Sequence, residues 1–300
     1  MQPTRLTPRE QRSILKVLTR EEWAEESVAQ VYWTAFDLGM LTMSLRTFYR
    51  YAADSGLVGD RRRRRQRRRS REKHGPIPVA SRPGEVWSWD VTELRGPGNQ
   101  RFRLYLVIDV YSRYPVAWRI EYREDRRLAV DMFATAFAQF GVPERIHSDN
   151  GGIMRSEVLI AALEAHEITR TYSRPRVSDD NPFSESLFRT VKYDLSCPEH
   201  FDSIQHAQEW TSEFLQHYAT ARRHSRMGWY TPHDLLHGTA IDVQAARQAT
   251  LDRQYDANPG RFRNRPKAPT IPTLVGIKKT HTQPTTLSSH GFDGDRSVVL

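Results

Sequence analysis

Three stretches in the middle of the chain decide the fold. Residues 85–94 read EVWSWDVTEL, residues 102–110 read FRLYLVIDV and residues 115–122 read PVAWRIEY. Each stretch is rich in β-branched and aromatic residues, and short polar segments separate them, as is typical of consecutive β-strands. Because the connections are short, the three strands are expected to pair as an antiparallel meander.

Beyond these strands the pattern alternates between helix and strand. Amphipathic periodicity predicts a helix directly after the third strand, and Gly141 is placed to end it. The predicted elements are a helix over 126–140, a strand over 145–148, a helix over 156–166, a strand over 168–172 and helices over 181–195 and 203–222. The order β-β-β-α-β-α-β-α predicts an α/β domain with a mixed sheet.

The N-terminal part, residues 9–56, has apolar residues at roughly helical spacing. Gly39 can end one helix and Ser44 can cap the next, which gives a helix-turn-helix with residues 44–55 as the recognition helix. A small helical bundle without a DNA role is the alternative. In the second helix the side chains expected to face inward are Leu45, Phe48 and Tyr49, and those expected to face outward are Arg46, Thr47 and Arg50.

The positive charge of the chain is concentrated in one segment. The net charge is +9, and residues 61–73 (RRRRRQRRRSREK) hold ten basic residues and one acidic residue, so the remainder is formally neutral. Like charges repel and offer nothing apolar to bury, so the run suits a polyanion such as DNA, or else a solvated linker. The next eleven residues, HGPIPVASRPG (74–84), read as an extended linker.

Composition limits the class of protein further. Hydrophobic residues make up 38% of the chain, which is enough for a core. The sequence contains no run of about 18 apolar residues, so no membrane span is predicted. The first residues lack a secretory leader, and Cys197 has no partner for a disulfide, so a reducing compartment such as the cytoplasm is expected. Near the C-terminus a helix over 243–255 and a strand over 270–277 are predicted, and the last twenty residues read as loose.

Three carboxylates form the candidate catalytic site. Asp90 lies inside the first strand, Asp149 follows a short strand and precedes two glycines, and Glu185 lies one turn into a helix. Converging carboxylates repel unless protons or cations lie between them, and oxygen ligands favour Mg²⁺ or Mn²⁺. Two such ions can promote phosphodiester chemistry. Each carboxylate taken alone is more commonly a helix cap or a surface charge.

The spacing and context of these carboxylates resemble a known signature. Thirty-five residues separate Asp149 from Glu185, and Lys192 follows Glu185 by seven positions on the same helix face. This resembles the DDE signature of retroviral-type integrases. The stretches WSWDVTEL, LVIDVYSRYPVAWRI, IHSDNGG, DDNPFSESLFRTVKY and HYATARRHSRMGWYTP resemble the OrfB-type transposases of bacterial insertion sequences, over residues 85–238.

The resemblance implies a ribonuclease H-like fold, with a five-stranded mixed sheet flanked by helices, preceded by the small all-α helix-turn-helix domain. It implies a transposase in which Asp90, Asp149 and Glu185 bind two metal ions, Mg²⁺, or Mn²⁺ in its place. No covalent protein–DNA intermediate is expected. The expected domains are a helix-turn-helix-like region (1–60), a basic, Pro-rich linker (61–84), an integrase-like core with C-terminal helices (85–238) and a partly disordered extension (239–300).

DNA is the expected partner, with a homo-oligomer formed on it and no membrane. The candidate DNA contacts are Lys192, which the resemblance places near the scissile phosphate, Arg189, Asn150, Arg46, Arg50, Arg61, Arg62, Arg63, Arg64, Arg65, Arg222, Arg223 and His224. Asp109 is a possible fourth carboxylate, although a strand-end residue bonded to backbone, Ser112 or Arg113 is the preferred interpretation. The alternatives to a transposase are a non-catalytic DNA-binding protein and a ribonuclease H-like nuclease that only hydrolyses.

Overall fold

The computed structural model describes residues 6–24, 26–57, 79–173 and 181–276 of the chain. Five predicted DNA contacts, Arg61 to Arg65, lie outside the described residues, as does the C-terminal end that reads as loose. Within these ranges no helix is both long and apolar enough to cross a membrane.

The helices and strands follow the predicted order. The N-terminal helices are α1 (Pro8–Leu18), α2 (Val28–Asp37) and α3 (Leu45–Asp54). Next come β1 (Val86–Arg95), β2 (Arg101–Asp109), β3 (Pro115–Glu121), α4 (Arg126–Phe140), β4 (Arg145–Ser148), α5 (Glu157–Glu164), β5 (Thr169–Tyr172) and α6 (Pro182–Lys192). The last helices are α7 (Ile204–Thr220), α8 (Pro232–Leu236) and α9 (Ala240–Ala257).

The five strands form one mixed sheet in the order β3-β2-β1-β4-β5. The pairs β1–β2 and β2–β3 are antiparallel, whereas β1–β4 and β4–β5 are parallel. The predicted mixed five-stranded sheet is therefore confirmed. β1 lies at its centre, where the antiparallel meander meets the parallel half.

Both faces of the sheet are covered by helices. On β2, Leu104, Leu106 and Ile108 join one hydrophobic cluster with residues of α6 and α7, while Tyr105 and Val107 join another with residues of α4 and α5. This alternation follows from the two-residue period of a β-strand. A strand buried on both faces has a nearly continuous apolar sequence, which explains FRLYLVID.

The N-terminal helices pack around their own cluster, in which Ile14, Tyr32 and Phe48 are buried. Ser44 caps α3 by accepting a hydrogen bond from the Thr47 backbone at 3.3 Å, as expected. The expectation that Tyr49 faces inward was wrong, because its side chain is exposed. The buried residues of α3 are four positions apart, Phe48 and Ala52, so their stripe is narrow and Tyr49 lies beside it.

The strand predicted over 270–277 is also wrong for its described part, residues 270–276. There the only strand-like pairing is a single antiparallel bridge between Val275 and Ala80. Pro272 lacks a backbone N–H for a ladder, and side chains bind the segment instead: Tyr111 Oη donates to the Pro272 carbonyl at 2.8 Å. The helix predicted over 243–255 is longer at both ends, since α9 spans Ala240–Ala257.

Candidate active site

The central strand β1 presents alternate side chains to opposite faces of the sheet. Trp87 and Trp89 are buried in the cluster beneath α4 and α5. The residues between and after them are polar: Ser88, Asp90 and Thr92 face α6. Ser88 and Thr92 hydrogen-bond to α6 side chains, and the two-residue period places Asp90 between them on that face.

Asp149 is brought beside Asp90 by the parallel pairing of β4 with β1. Ser88 is opposite His147 in the register, so the residue two positions further along each chain is an aspartate. Asp149 Oδ1 accepts a hydrogen bond from the Gly151 backbone at 2.8 Å. A Cβ at Gly151 would lie 3.0 Å from that oxygen, which explains why the turn carries a residue without a side chain.

Glu185 is positioned by a buried hydrogen-bonded clasp between α6 and β1. Ser88 Oγ donates to Asn181 Oδ1, and it lies 2.8 Å from Ser184 Oγ. Asn181 Nδ2 donates to the Trp89 carbonyl at 3.1 Å. All three clasp side chains, Ser88, Asn181 and Ser184, are buried. The clasp therefore attaches α6 to β1 at the residues next to Glu185 and Asp90.

The three carboxylates share one electrostatic environment. Burial and, after it, the negative charges of Asp149 and Glu185 together raise the pKa of Asp90 to about 7, while the Val91 backbone N–H opposes the shift. In the described part of the chain, however, no three Asp, Glu, His or Cys side chains are close enough together to hold a metal ion. The carboxylates are electrostatic neighbours that do not form a closed ligand set.

Some predicted DNA contacts lie next to these carboxylates. Lys192 Nζ, two turns beyond Glu185 on α6, donates to Thr92 Oγ1 of β1 at 2.6 Å. Arg189 is exposed on the same helix. Asn150 binds protein groups on both sides of its amide, because it donates to the Ser173 carbonyl and accepts from Arg155 at 2.6 Å.

The remaining predicted contacts lie on other elements. Arg46 and Arg50 are exposed on α3. Arg222, Arg223 and His224 follow α7, where the His224 ring packs edge-on against Tyr218. The Arg223 guanidinium points to the N-terminal helices and binds Asp37, with 2.9 Å between Nη2 and Oδ2.

Asp109 is a structural residue, as the preferred interpretation held. It is buried, and its Oδ1 accepts hydrogen bonds from the Ser112 backbone at 2.7 Å and the Ser112 hydroxyl at 2.6 Å. Its Oδ2 accepts from the Gly84 backbone at 2.8 Å. Asp109 thus joins the turn after β2 to the segment that leads into β1.

The sequence interpretation missed the clasp. Its signal was a small polar residue, Ser88, between two tryptophans of a central strand, because a buried hydroxyl in such a place needs a hydrogen-bond partner. The partners Asn181 and Ser184 are more than ninety positions away from Ser88, and only the packing of α6 identifies them.

Two family models match overlapping parts of the chain. Residues 80–178 match one described as an integrase core domain, and residues 166–232 match a second with the same description. The chain contains an integrase core domain. Asp90, Asp149, Glu185 and Lys192 all lie within the matched core.

The core is similar to insertion-sequence transposases of Escherichia coli K12. It is 30% identical over 156 residues to transposase InsF for insertion sequence IS3A, covering 51% of this chain and 54% of that protein. It is 28% identical over 157 residues to the putative transposase InsK for element IS150, with the same coverage. The chain thus spans about half the length of the relatives it matches.

Solved structures of viral integrases show more distant likeness. A simian T-cell lymphotropic virus intasome chain aligns with 65% of this chain and 67% of its own length, at 19% identity and a TM-score of 0.47. The HTLV-2 integrase catalytic core in complex with magnesium aligns over 52% of this chain and 98% of its own, at 18% identity and a TM-score of 0.41. The sheet order and the family models carry the assignment of the ribonuclease H-like fold.

Replacing Asp90 by Asn is expected to stabilise the metal-free protein at neutral pH. The pKa of Asp90 is raised in the folded state, so ionisation of this carboxyl costs folding free energy. The cost grows from the unfolded pKa, about 4, to the folded pKa of about 7, and stays constant above it. The melting temperature of Asp90→Asn should therefore exceed that of wild type by an amount that increases over this pH range.

The measurement is thermal unfolding in EDTA at several pH values between 4 and 8. Asp131→Asn on α4 is the matched control, because it makes the same chemical change at an exposed position and should alter the melting temperature little. A difference for Asp90→Asn that does not change with pH would contradict the raised pKa.

Replacing Asn181 by Ala should loosen α6 from β1. The change leaves the buried Trp89 carbonyl and Ser88 hydroxyl without Asn181, and an unsatisfied buried polar group costs about 1–3 kcal/mol. Urea unfolding should show a loss of stability of that order. The control is Ser186→Ala, which changes an exposed serine of the same helix and should alter the free energy of unfolding by less than about 0.5 kcal/mol. Equal stability of the two variants would rule out the clasp as a structural contact.

Proposed function

We propose that this chain is a DNA transposase that cuts DNA at the ends of a mobile element and joins those ends to a target. The observation that carries the proposal is the site around Asp90 of β1, where the charges of Asp149, directly after β4, and of Glu185 on α6 act on Asp90 within the region that matches an integrase core domain. The names of the relatives agree with it, since they are transposases for insertion sequences.

The carboxylates Asp90, Asp149 and Glu185 are proposed to hold divalent cations. The type of donor fits, because all three groups offer only oxygen ligands. Burial and the charges of Asp149 and Glu185 raise the pKa of Asp90, and a bound cation would offset the repulsion between the carboxylates. The proposed cofactor is a pair of Mg²⁺ ions, for which Mn²⁺ can substitute. When bound, such ions stabilise the charge that develops on phosphate oxygens during displacement.

The chain's own residues position DNA for two displacements at phosphorus. In the first, water forms a bond to phosphorus as the bond to the 3′-oxygen breaks, which leaves a 3′-hydroxyl on the element end. In the second, that hydroxyl oxygen bonds to a target phosphorus and displaces the target's 3′-oxygen. Lys192, held toward β1 by Thr92, is proposed to contact the backbone near the scissile phosphate. Neither step needs a protein nucleophile.

The other residues proposed to contact DNA differ in whether their side chains are free to do so or already bind groups of the protein. Arg46 and Arg50 on α3 and Arg189 on α6 are exposed, so their guanidinium groups can reach a phosphate without other changes. For Asn150 and Arg223, a DNA contact requires exchange of the hydrogen bonds that they make within the protein. The other residues proposed to contact DNA are Arg222, His224 and the run Arg61 to Arg65.

Because two element ends must be brought together, we also propose that the protein forms a homo-oligomer on DNA.

The test is nicking and joining of supercoiled plasmid DNA in Mg²⁺ or Mn²⁺. Wild type should give nicked and joined products, and both Glu185→Gln and Asp149→Asn should lose them, because each removes a proposed metal ligand. The control is Glu157→Gln on α5, an exposed carboxylate outside the proposed site, which should keep the activity.

The products separate the proposal from its alternatives. Nicked product without joined product, on plasmids that carry the DNA flanking this gene, would favour a nuclease that only hydrolyses. DNA binding without any metal-dependent product in wild type would favour a non-catalytic DNA-binding protein. Full activity of Glu185→Gln would refute the assignment of the site.

Deleting residues 61–69 should weaken DNA binding and reduce its dependence on salt. Each phosphate that a basic residue neutralises adds about 0.9 to the slope of log K against log salt concentration, and eight of these nine residues are arginine. Binding to a duplex oligonucleotide is measured between low and physiological salt. A variant with nine serines in their place keeps the segment length and should behave like the deletion. An unchanged slope in both variants would mean that the run is only a linker.

A further inference from the structure

One carboxylate joins the N-terminal helices to the rest of the chain. Asp37, the last residue of α2, accepts hydrogen bonds from Arg223, which follows α7, and from Arg247 of α9. The carbonyl end of a helix is electrostatically unfavourable for an acidic residue, so local helix preferences do not explain Asp37. The two arginines explain why an acidic residue is favourable at this position. We call Asp37, Arg223 and Arg247 the Asp37 clamp.

Arg247 is the most buried member of the clamp, with 2% of its surface exposed. Its Nε and Nη2 bind the two oxygens of Asp37 at 2.7 and 2.9 Å, which is the bidentate geometry of a strong charge-assisted pair. Its guanidinium lies between the rings of Trp33 and Tyr230, 4.7 and 4.8 Å from their centroids. A buried charge is tolerated only when paired and hydrogen-bonded in this way.

Arg247 also binds a strained turn between α7 and α8. Gly228 and Trp229 both have positive φ, 69° and 63°, a backbone region that is costly for tryptophan. Their carbonyls accept hydrogen bonds from Arg247 Nη1 at 3.2 Å and Nη2 at 2.9 Å. The same turn begins close to Arg223, so the clamp fixes the turn and the N-terminal helices to each other.

Further contacts run in parallel with the clamp. Arg261 Nη1 binds Glu10 of α1 at 2.7 Å, and Gln254 of α9 donates to the Leu41 carbonyl at 3.2 Å. Leu251 and Ala268 are buried in the hydrophobic cluster of the N-terminal helices. The α9 region therefore packs against the N-terminal helices, which share one core, so holding α2 also holds α3.

We propose that the Asp37 clamp holds α3 at a fixed distance from the carboxylates of Asp90, Asp149 and Glu185, so that the DNA sequence bound by α3 determines which phosphodiester bond is cut. This inference rests on the proposed function. The clamp residues are positioning residues: Arg223 acts through Asp37, and its guanidinium is committed to Asp37, to Thr34 at 2.8 Å and to the Ala221 carbonyl at 3.2 Å.

The first experiment measures the distance between α3 and the core without DNA. Spin labels are placed on Ala53→Cys of α3 and Ala134→Cys of α4, both exposed positions, in a Cys197→Ser background. Double electron–electron resonance should give one narrow distance in the otherwise wild-type protein. Arg223→Gln, which leaves the Arg247 pair in place and so keeps the fold, should broaden the distribution.

The matched control is Arg226→Gln, which removes the same charge from an exposed position of the same segment and should leave the distance narrow. Asp37→Asn removes the charge that both arginines bind and should broaden the distribution more than Arg223→Gln. A broad distribution in wild type, or a narrow one in both Arg223→Gln and Asp37→Asn, would overturn the proposal.

The second experiment maps the cut sites on end-labelled DNA that carries the sequence flanking this gene. Wild type and Arg226→Gln should cut at one phosphodiester bond, and Arg223→Gln should spread its cuts over neighbouring bonds. A single unchanged cut site in Arg223→Gln would overturn the role of the clamp in choosing the bond. If wild type does not cut, the proposed function fails, whereas the distance measurement still decides whether the clamp fixes α3.

Discussion

The two-residue period of β1 is the constraint on which the rest of the core depends. One strand must supply large apolar side chains to the cluster under α4 and α5 and small or charged side chains to the face under α6. Trp87 and Trp89 supply the apolar side chains, and Ser88, Asp90 and Thr92 supply the small or charged ones. A shift of the register by one residue would turn both tryptophans toward α6 and place Asp90 in the apolar cluster under α4 and α5. The buried tryptophans therefore also determine where the carboxylate points.

That arrangement stores unfavourable electrostatic energy at the site. Burial, with the negative charges of Asp149 and Glu185 added to it, raises the pKa of Asp90 to about 7. Such a group opposes folding at neutral pH, so the surrounding structure has to hold it in place. The clasp of Ser88, Asn181 and Ser184 supplies that support through hydrogen bonds that are fully buried.

The sequence predicted the order of strands and helices, because periodicity is local and the apolar runs are strong. It also predicted single contacts within a few residues, such as the Ser44 cap and the Asp109–Ser112 bond. It failed where a segment depends on a distant partner. Residues 270–276 have β-forming composition, yet within the described ranges their one strand-like backbone pairing is the bridge between Val275 and Ala80. The register that places Asp149 beside Asp90 is likewise a property of the β1–β4 pairing.

Residues that break local rules are the ones that connect distant parts of this molecule. Asp37 ends a helix where a cation is preferred, and Trp229 has positive φ; both are stabilised by Arg247. Asp90 is a carboxylate within a strand, and the distant residues Asn181 and Ser184 hold that strand against α6. Each departure costs free energy locally and is offset by a contact far away in sequence, as expected when function constrains a fold. The same argument separates Asp109 from Asp90. Backbone groups and Ser112 donate hydrogen bonds to both oxygens of Asp109, whereas Asp90 accepts one from the Val91 backbone and has two carboxylates as electrostatic neighbours.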